Sequence, residues 1–280
     1  MRRIRVTITL KESFLKSLDS LTDMRQIRSR SQAVEYILGE YFRDKIELAV
    51  ILAGGKGTKL RPYTYEIPKS LFPINGKPIL EYTINNLISG GIKQIIICTG
   101  YLGDKIQNYF GDGSRFSVKI IYSHENNPLR TGGALLNARD KIGERSFLLV
   151  NGDIITNLDF KDIINFYLKE KTLVSVGLTM VEKPQKFGQL QIHGNRLIDF
   201  QQQSKEKIIS HLVNAGIYIC SRHVFDYFPK DKKIFFFESV LKNLTEHRQI
   251  NGFIFNGLWF DIEDPANYER AIKAFKKIAV

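Results

Sequence analysis

The stretch Leu48-Ala49-Val50-Ile51-Leu52-Ala53-Gly54-Gly55-Lys56-Gly57-Thr58-Lys59-Leu60-Arg61-Pro62 decides how this 280-residue chain is read. Its first six residues form an unbroken apolar run of β-strand length. The run passes straight into a loop of glycines and cations. Glycine lets a backbone approach phosphate oxygens closely, while N–H groups and lysines compensate their charge. Two familiar glycine loops are excluded. A Walker loop needs Gly-Lys-Ser/Thr, but Lys56 is followed by Gly57, and the dinucleotide fingerprint fails because Leu60 holds its last glycine position. The loop is read as serving another phosphate ligand.

Outward from this loop, β-like and helical segments alternate at 48–53, 79–89, 94–99, 104–109, 117–122, 132–138 and 147–150. Alternation of this kind predicts an α/β fold with a Rossmann-like sheet and ligands at the carboxyl ends of its strands. Runs at 172–181 and 212–220 and a closing helix at 265–278 follow. With 43% hydrophobic residues the chain has enough apolar content for a large core. Cys98 and Cys220 each end a β-like run and are read as buried thiols, too few for a zinc cluster or disulfide framework. The opening Met1-Arg2-Arg3-Ile4-Arg5 leads into no secretory or membrane-spanning apolar run, so the protein is expected in the cytoplasm, away from membranes.

The formal net charge of +12 points to anionic partners. Residues 1–30 concentrate it, with eight Lys/Arg against three carboxylates. In this region Val6, Ile8 and Leu10 alternate with Arg5, Thr7 and Thr9, as in a strand with one apolar face. Phe14, Leu18 and Leu21 recur at helical spacing. A second helix is expected to begin at Ser29, with Gln32 completing a capping box and Val34, Ile37, Leu38 and Tyr41 as its apolar stripe. This strand-helix-helix order, with Ser29-Arg30-Ser31-Gln32-Ala33 opening the second helix, resembles the ribbon-helix-helix family. The resemblance implies a β-α-α module over residues 1–45 that forms a homodimer. It also implies that Arg5, Thr7 and Thr9 face the bases of double-stranded DNA while Ser29 and Ser31 hold a phosphate. The same module could serve dimerisation alone. No Gly/Ser/Pro linker separates it from residues 48–280, so the two are expected to be held close.

The loop at 52–62, followed by Ile67-Pro68-Lys69-Ser70-Leu71 and Gly76-Lys77-Pro78-Ile79, resembles the signature of sugar-1-phosphate nucleotidyltransferases, three blocks in order. The resemblance implies a nucleotidyltransferase domain with a mixed central sheet. In it Leu52, Ala53, Gly54, Gly55, Gly57 and Thr58 wrap a nucleoside triphosphate, and Lys59 and Lys69 neutralise its phosphates. Lys59 stands where the family has arginine, which keeps the charge and loses the bidentate fork. Glu125-Asn126-Asn127-Pro128-Leu129-Arg130-Thr131-Gly132-Gly133 resembles the base-recognition segment of mannose- and heptose-1-phosphate guanylyltransferases, with Glu125, Thr131 and Gly132 at the nucleotide and Arg130 replacing a glycine. Asn151-Gly152-Asp153 and Trp259-Phe260-Asp261 resemble the blocks whose aspartates hold Mg²⁺, with Gly152 beside the nucleotide.

Phe187-Gly188 and Asn214-Ala215-Gly216 match the sugar-binding blocks, through Gly188 and Asn214. The family's Glu-Lys-Pro, whose lysine holds the sugar phosphate, should follow Phe200, but that slot reads Gln201-Gln202-Gln203-Ser204. The visible Glu182-Lys183-Pro184 precedes Phe187 and belongs to another loop. Either Lys205 or Lys207 reaches in, or the sugar phosphate binds weakly. Two functions remain open at this point. One is a Mg²⁺-dependent transferase joining a nucleoside triphosphate and a sugar 1-phosphate, fused to a DNA-binding module; the other is a transcription regulator whose transferase-like domain only senses a nucleotide or nucleotide-sugar.

Overall fold

The computed structural model describes residues 7–22, 27, 29–41, 45–170, 172–201 and 208–276. Arg5 and Val6, the junction at 42–44 and the 202–207 stretch with Gln202, Gln203, Lys205 and Lys207 lie outside them. The chain divides between Lys45 and Ile46 into two compact units.

In the first unit, helices α1 (Glu12–Ser20) and α2 (Arg30–Tyr41) bury Leu18 and Ala33. The Gln32 N–H donates to Ser29 Oγ at 3.3 Å, the hydrogen bond of an N-cap. The Arg30 guanidinium forks onto Asp19 at 2.6 and 2.7 Å and joins the helices, and its hydrogen bonds hold the Asp19 carboxyl below its usual range. In the single chain Thr7–Leu10 join no ladder, since the strand expected there has only a second copy to pair with. The stripe of Ile37 and Leu38 faces outward, because so small a unit has too little interior to cover it; Ala33 is the residue α2 buries.

The second unit begins with β1 (Leu48–Ala53), β2 (Pro73–Ile74), β3 (Lys77–Pro78), α3 (Ile79–Ser89), β4 (Gln94–Thr99), α4 (Gly103–Phe110) and β5 (Lys119–His124). Next come α5 (Arg130–Asn137), α6 (Arg139–Ile142), β6 (Phe147–Asn151), β7 (Ile154–Thr156), α7 (Phe160–Glu170) and β8 (Val174–Met180). The unit closes with β9 (Gln189–His193), β10 (Arg196–Gln201), β11 (Leu212–Cys220), α8 (Phe237–Glu246), β12 (Ile250–Ile254), β13 (Trp259–Asp261) and α9 (Pro265–Lys276). Among the described residues nine strands form one mixed sheet in the order β5-β4-β1-β6-β11-β8-β12-β10-β9.

Strands β5, β4, β1 and β6 are parallel, and β11 runs antiparallel to β6. Alternate residues of β1 serve opposite faces. Leu48 and Val50 pack with Leu135 of α5 and Phe237 and Leu241 of α8; Ala49 and Ile51 pack with Leu80 and Ile84 of α3 and Ile163 of α7. Burial on both faces is why β1 and β4 read as unbroken apolar runs. A third cluster, including Leu60, Ile74, Ile155, Ile262 and Phe275, joins β2, β7 and α9.

The sheet is mixed α/β, as expected. Elements α7, α8 and the β9–β10 hairpin lie where the sequence pattern assigned none, and the closing helix is described to Lys276. Both cysteines are free and buried, and burial pushes the Cys98 thiol up to about 12. No helix among the described residues is long and apolar enough to cross a membrane.

Candidate active site

Strand order reverses at β1: β4 lies on one side of it and β6 on the other. A crevice opens at such a point beyond the carboxyl ends of the strands, and here both strands end in glycine turns. The Gly152 N–H donates to the Leu52 carbonyl at 2.8 Å and locks the two turns together. A Cβ on Gly152 would lie 2.8 Å from that same oxygen, so the junction excludes a side chain. Gly57 holds φ +59°, the left-handed conformation that glycine adopts without cost.

Leu52, Ala53, Gly54, Gly55, Gly57, Thr58, Lys69, Glu125, Thr131, Gly152 and Asp153 line the resulting cleft of about 510 Å³. Glu125 accepts from the Leu129 N–H at 3.2 Å, and burial raises its pKa. Gly132 lies behind the wall instead of lining it. It is pinned to the Phe235 carbonyl at 3.0 Å, and an added Cβ would come within 2.4 Å of the Phe235 ring.

A second cleft of about 470 Å³ adjoins the first, with Asn151 and Phe236 lining both. Gly188 and Asn214 are in it, with Lys186, Phe200, Gly216, Glu238, Trp259 and Asp261. Because β11 runs antiparallel to β6, its first residues meet the carboxyl end of β6. A register shift between Asn214 and Tyr218 turns the Asn214 amide onto the Tyr218 hydroxyl, to which it donates at 2.7 Å.

Asp153 and Asp261 are brought together by the β7–β13 ladder, in which Asp261 pairs with Ile154 and the Ile262 N–H donates to the Asp153 carbonyl at 2.9 Å. Lys69 Nζ donates to Asp153 Oδ2 at 2.5 Å. Burial works against the Lys69 charge, but Asp153, Asp261 and Glu263 outweigh it and raise its pKa. For Asp261, burial and then the Asp153 charge push the carboxyl up to about 8 in spite of Lys69.

Asp261 Oδ1 is buried and has no hydrogen-bond partner among the described residues. An orphaned carboxylate oxygen beside a second carboxylate fits a hard divalent cation such as Mg²⁺. No cluster of three or more His, Cys, Asp or Glu is present among the described residues. The protein therefore offers two carboxylates, which suits a cation that shares its shell with phosphates and water.

Lys59 lines neither cleft, because Glu263 draws its ammonium to 2.5 Å. Lys186 pairs with Asp264 at 3.2 Å and is the one cation lining the second cleft among the described residues. Its sequence signal is its place directly before Phe187-Gly188. Phe236 and Glu238 gave no signal, since their run Phe235-Phe236-Phe237-Glu238 carries no motif. Thr131 binds that run, donating to Glu238 at 2.9 Å and accepting from the Phe237 N–H at 2.9 Å. In the first unit, Thr7, Thr9, Ser29 and Ser31 are exposed.

Comparison with known proteins accords with this geometry. The model of the family described as nucleotidyl transferase matches residues 48–278. Over 225 residues the chain is 30% identical to the mannose-1-phosphate guanylyltransferase of Mycobacterium tuberculosis, covering 79% of this chain and 62% of that relative. It is 31% identical over 225 residues to the D-glycero-alpha-D-manno-heptose 1-phosphate guanylyltransferase of Aneurinibacillus thermoaerophilus, covering 80% of this chain and 96% of that relative. Among solved structures, HddC from Yersinia pseudotuberculosis superimposes with a TM-score of 0.70 at 28% identity, covering 82% of this chain and all of that one. With its family model matched along almost the whole second unit, the chain belongs to the nucleotidyl transferase family.

Proposed function

We propose that residues 48–280 transfer a nucleotidyl group from a nucleoside triphosphate to a sugar 1-phosphate, releasing pyrophosphate. The observation that carries this reading is the Asp153–Asp261 pair, one carboxylate lining each of two adjoining clefts, with Lys69 against it. A phosphate oxygen of the sugar phosphate attacks the α-phosphorus in line. The new P–O bond forms as the bond from the α-phosphorus to the β-bridging oxygen breaks, and pyrophosphate departs with that oxygen. The nucleophile is already anionic, so no general base is required.

Catalysis then rests on positioning and charge neutralisation. The N–H groups of the 54–58 loop and Lys69 hold the triphosphate. Gly188 and Asn214 hold the sugar, with Lys186 as the cation toward its phosphate. Mg²⁺ held by Asp153 and Asp261 would neutralise charge on the reacting phosphates. Lys59 reaches the leaving pyrophosphate only by releasing Glu263. GTP is the first donor to test, since both relatives named above are guanylyltransferases.

Purified protein with Mg²⁺, nucleoside triphosphates and sugar 1-phosphates is expected to release pyrophosphate with one pair, and Asp153→Asn to abolish it. Arg130 in the place of a glycine, and glutamines in the slot of the sugar-phosphate lysine, favour a second reading as a nucleotide-sensing regulator. Nucleotide binding without pyrophosphate release from any pair would favour it.

We further propose that residues 1–45 dimerise as a ribbon-helix-helix module on double-stranded DNA. Two helices in the expected order, the Ser29 cap and the exposed Ile8, Phe14, Ile37 and Leu38 support this. Binding to a duplex from the protein's own promoter should weaken steeply with salt and vanish with Arg5→Ala and Thr7→Ala. Retention of a dimer with no DNA affinity at low salt would leave a dimerisation module alone.

A further inference from the structure

Arg130 combines three features that no packing role explains. Its backbone is left-handed, φ +65°, a conformation that costs an L-residue free energy and suits glycine. The neighbouring chain enforces it. Phe235 N donates to the Leu129 carbonyl at 3.3 Å, and Gly132 and Gly133 donate to the Phe235 carbonyl, so the segment on either side of Arg130 is bound to one facing strip of chain. The side chain buries nothing in return. It is exposed, it lines the first cleft, and its guanidinium lies 5.0 Å from the ring centroid of Phe236, which is itself 46% exposed and lines both clefts. No carboxylate pairs with Arg130 among the described residues. A strained residue holding an uncompensated cation over a cleft is a mark of function.

We infer that Arg130 is a ligand of the donor nucleotide, its N–H fork taking a pair of acceptor atoms while Phe236 fixes the guanidinium plane. This rests on the nucleotide reading of the first cleft. The fork suits two acceptor pairs on the same ligand, phosphate oxygens or the O6/N7 edge of a guanine.

The test is calorimetric binding of GTP, CTP, UTP and dTTP with Mg²⁺ to full-length wild type and Arg130→Gly. The variant should melt no lower than wild type, since glycine accepts the left-handed backbone. It should bind nucleotide roughly tenfold or more weakly, the size of a lost hydrogen bond to a charged group. A similar loss for all four triphosphates assigns the phosphates; a loss confined to GTP assigns the base edge. Unchanged affinity for every nucleotide that wild type binds would overturn the role of Arg130 and leave the cleft assignment standing. Wild type that binds none of the four, nor ATP, would overturn the nucleotide reading and this inference with it.

Discussion

Single charges carry most of what the two clefts would do. Asp261 has a buried carboxylate oxygen without a partner among the described residues and a neighbouring carboxylate, an arrangement that suits a bound cation. Asp261→Asn should lower kcat by roughly 10²–10³ at saturating Mg²⁺, the scale of removing one electrostatic stabiliser of a transition state. Its melting temperature at neutral pH without Mg²⁺ should not fall, because burial and the Asp153 charge already hold the Asp261 carboxyl neutral and asparagine replaces that neutral form with a side chain of the same size. Steady-state kinetics and a thermal melt on the same preparation check both parts. Lys186 is the complementary case, exposed and paired across the surface with Asp264. Its ion pair contributes only about 0–1 kcal/mol to stability. Lys186→Ala should raise the KM for the sugar 1-phosphate roughly tenfold while leaving the KM for the triphosphate in place. An unchanged sugar-phosphate KM would return the role to Lys205 or Lys207.

Strands and turns set where those charges stand. Within β11 the register shift between Asn214 and Tyr218 bends the strand so that Asn214 and Gly216 border the second cleft. Gly216 is left-handed at φ +69°, and a Cβ there would lie 2.4 Å from Ile154 Cδ1 and 2.6 Å from Asn151 Nδ2. Backbone strain and overpacking then add, so Gly216→Ala should destabilise by about 2–3 kcal/mol and lower the melting temperature by roughly 5 °C or more. The displaced Asn151 borders both clefts, so affinity for both substrates should fall, which binding measurements below the melting transition would reveal.

At the scale of the whole molecule, two units with unequal interiors share one chain. The larger buries its sheet on both faces; the smaller leaves Phe14, Ile37 and Leu38 exposed, a surface that a second copy would cover. Ile37→Lys should convert a dimer of the full-length protein to a monomer in light scattering and leave pyrophosphate release unchanged. Much of this organisation was legible in the sequence. Periodicity marks β1, α3, β4 and β11, because strands buried on both faces need unbroken apolar runs and helices need apolar residues every three or four positions. The glycine loop stands out because glycines and lysines directly follow an apolar strand run, whereas Asp153 and Asp261 are marked only by the resemblance of their short blocks to a known family. Helices α7 and α8 also repeat apolar residues at helical spacing, Phe160, Ile163, Ile164 and Tyr167 in one and Phe237, Val240, Leu241 and Leu244 in the other, so they too were legible, whereas the β9–β10 hairpin consists of strands too short to stand out. Tertiary structure alone decided the rest. It brought Asp261 beside Asp153 through the β7–β13 ladder, drew Lys59 away to Glu263, set Lys186 in the second cleft and laid Arg130 on Phe236. Pairings between residues so far apart in the chain depend on strand order and register, which local sequence patterns do not encode.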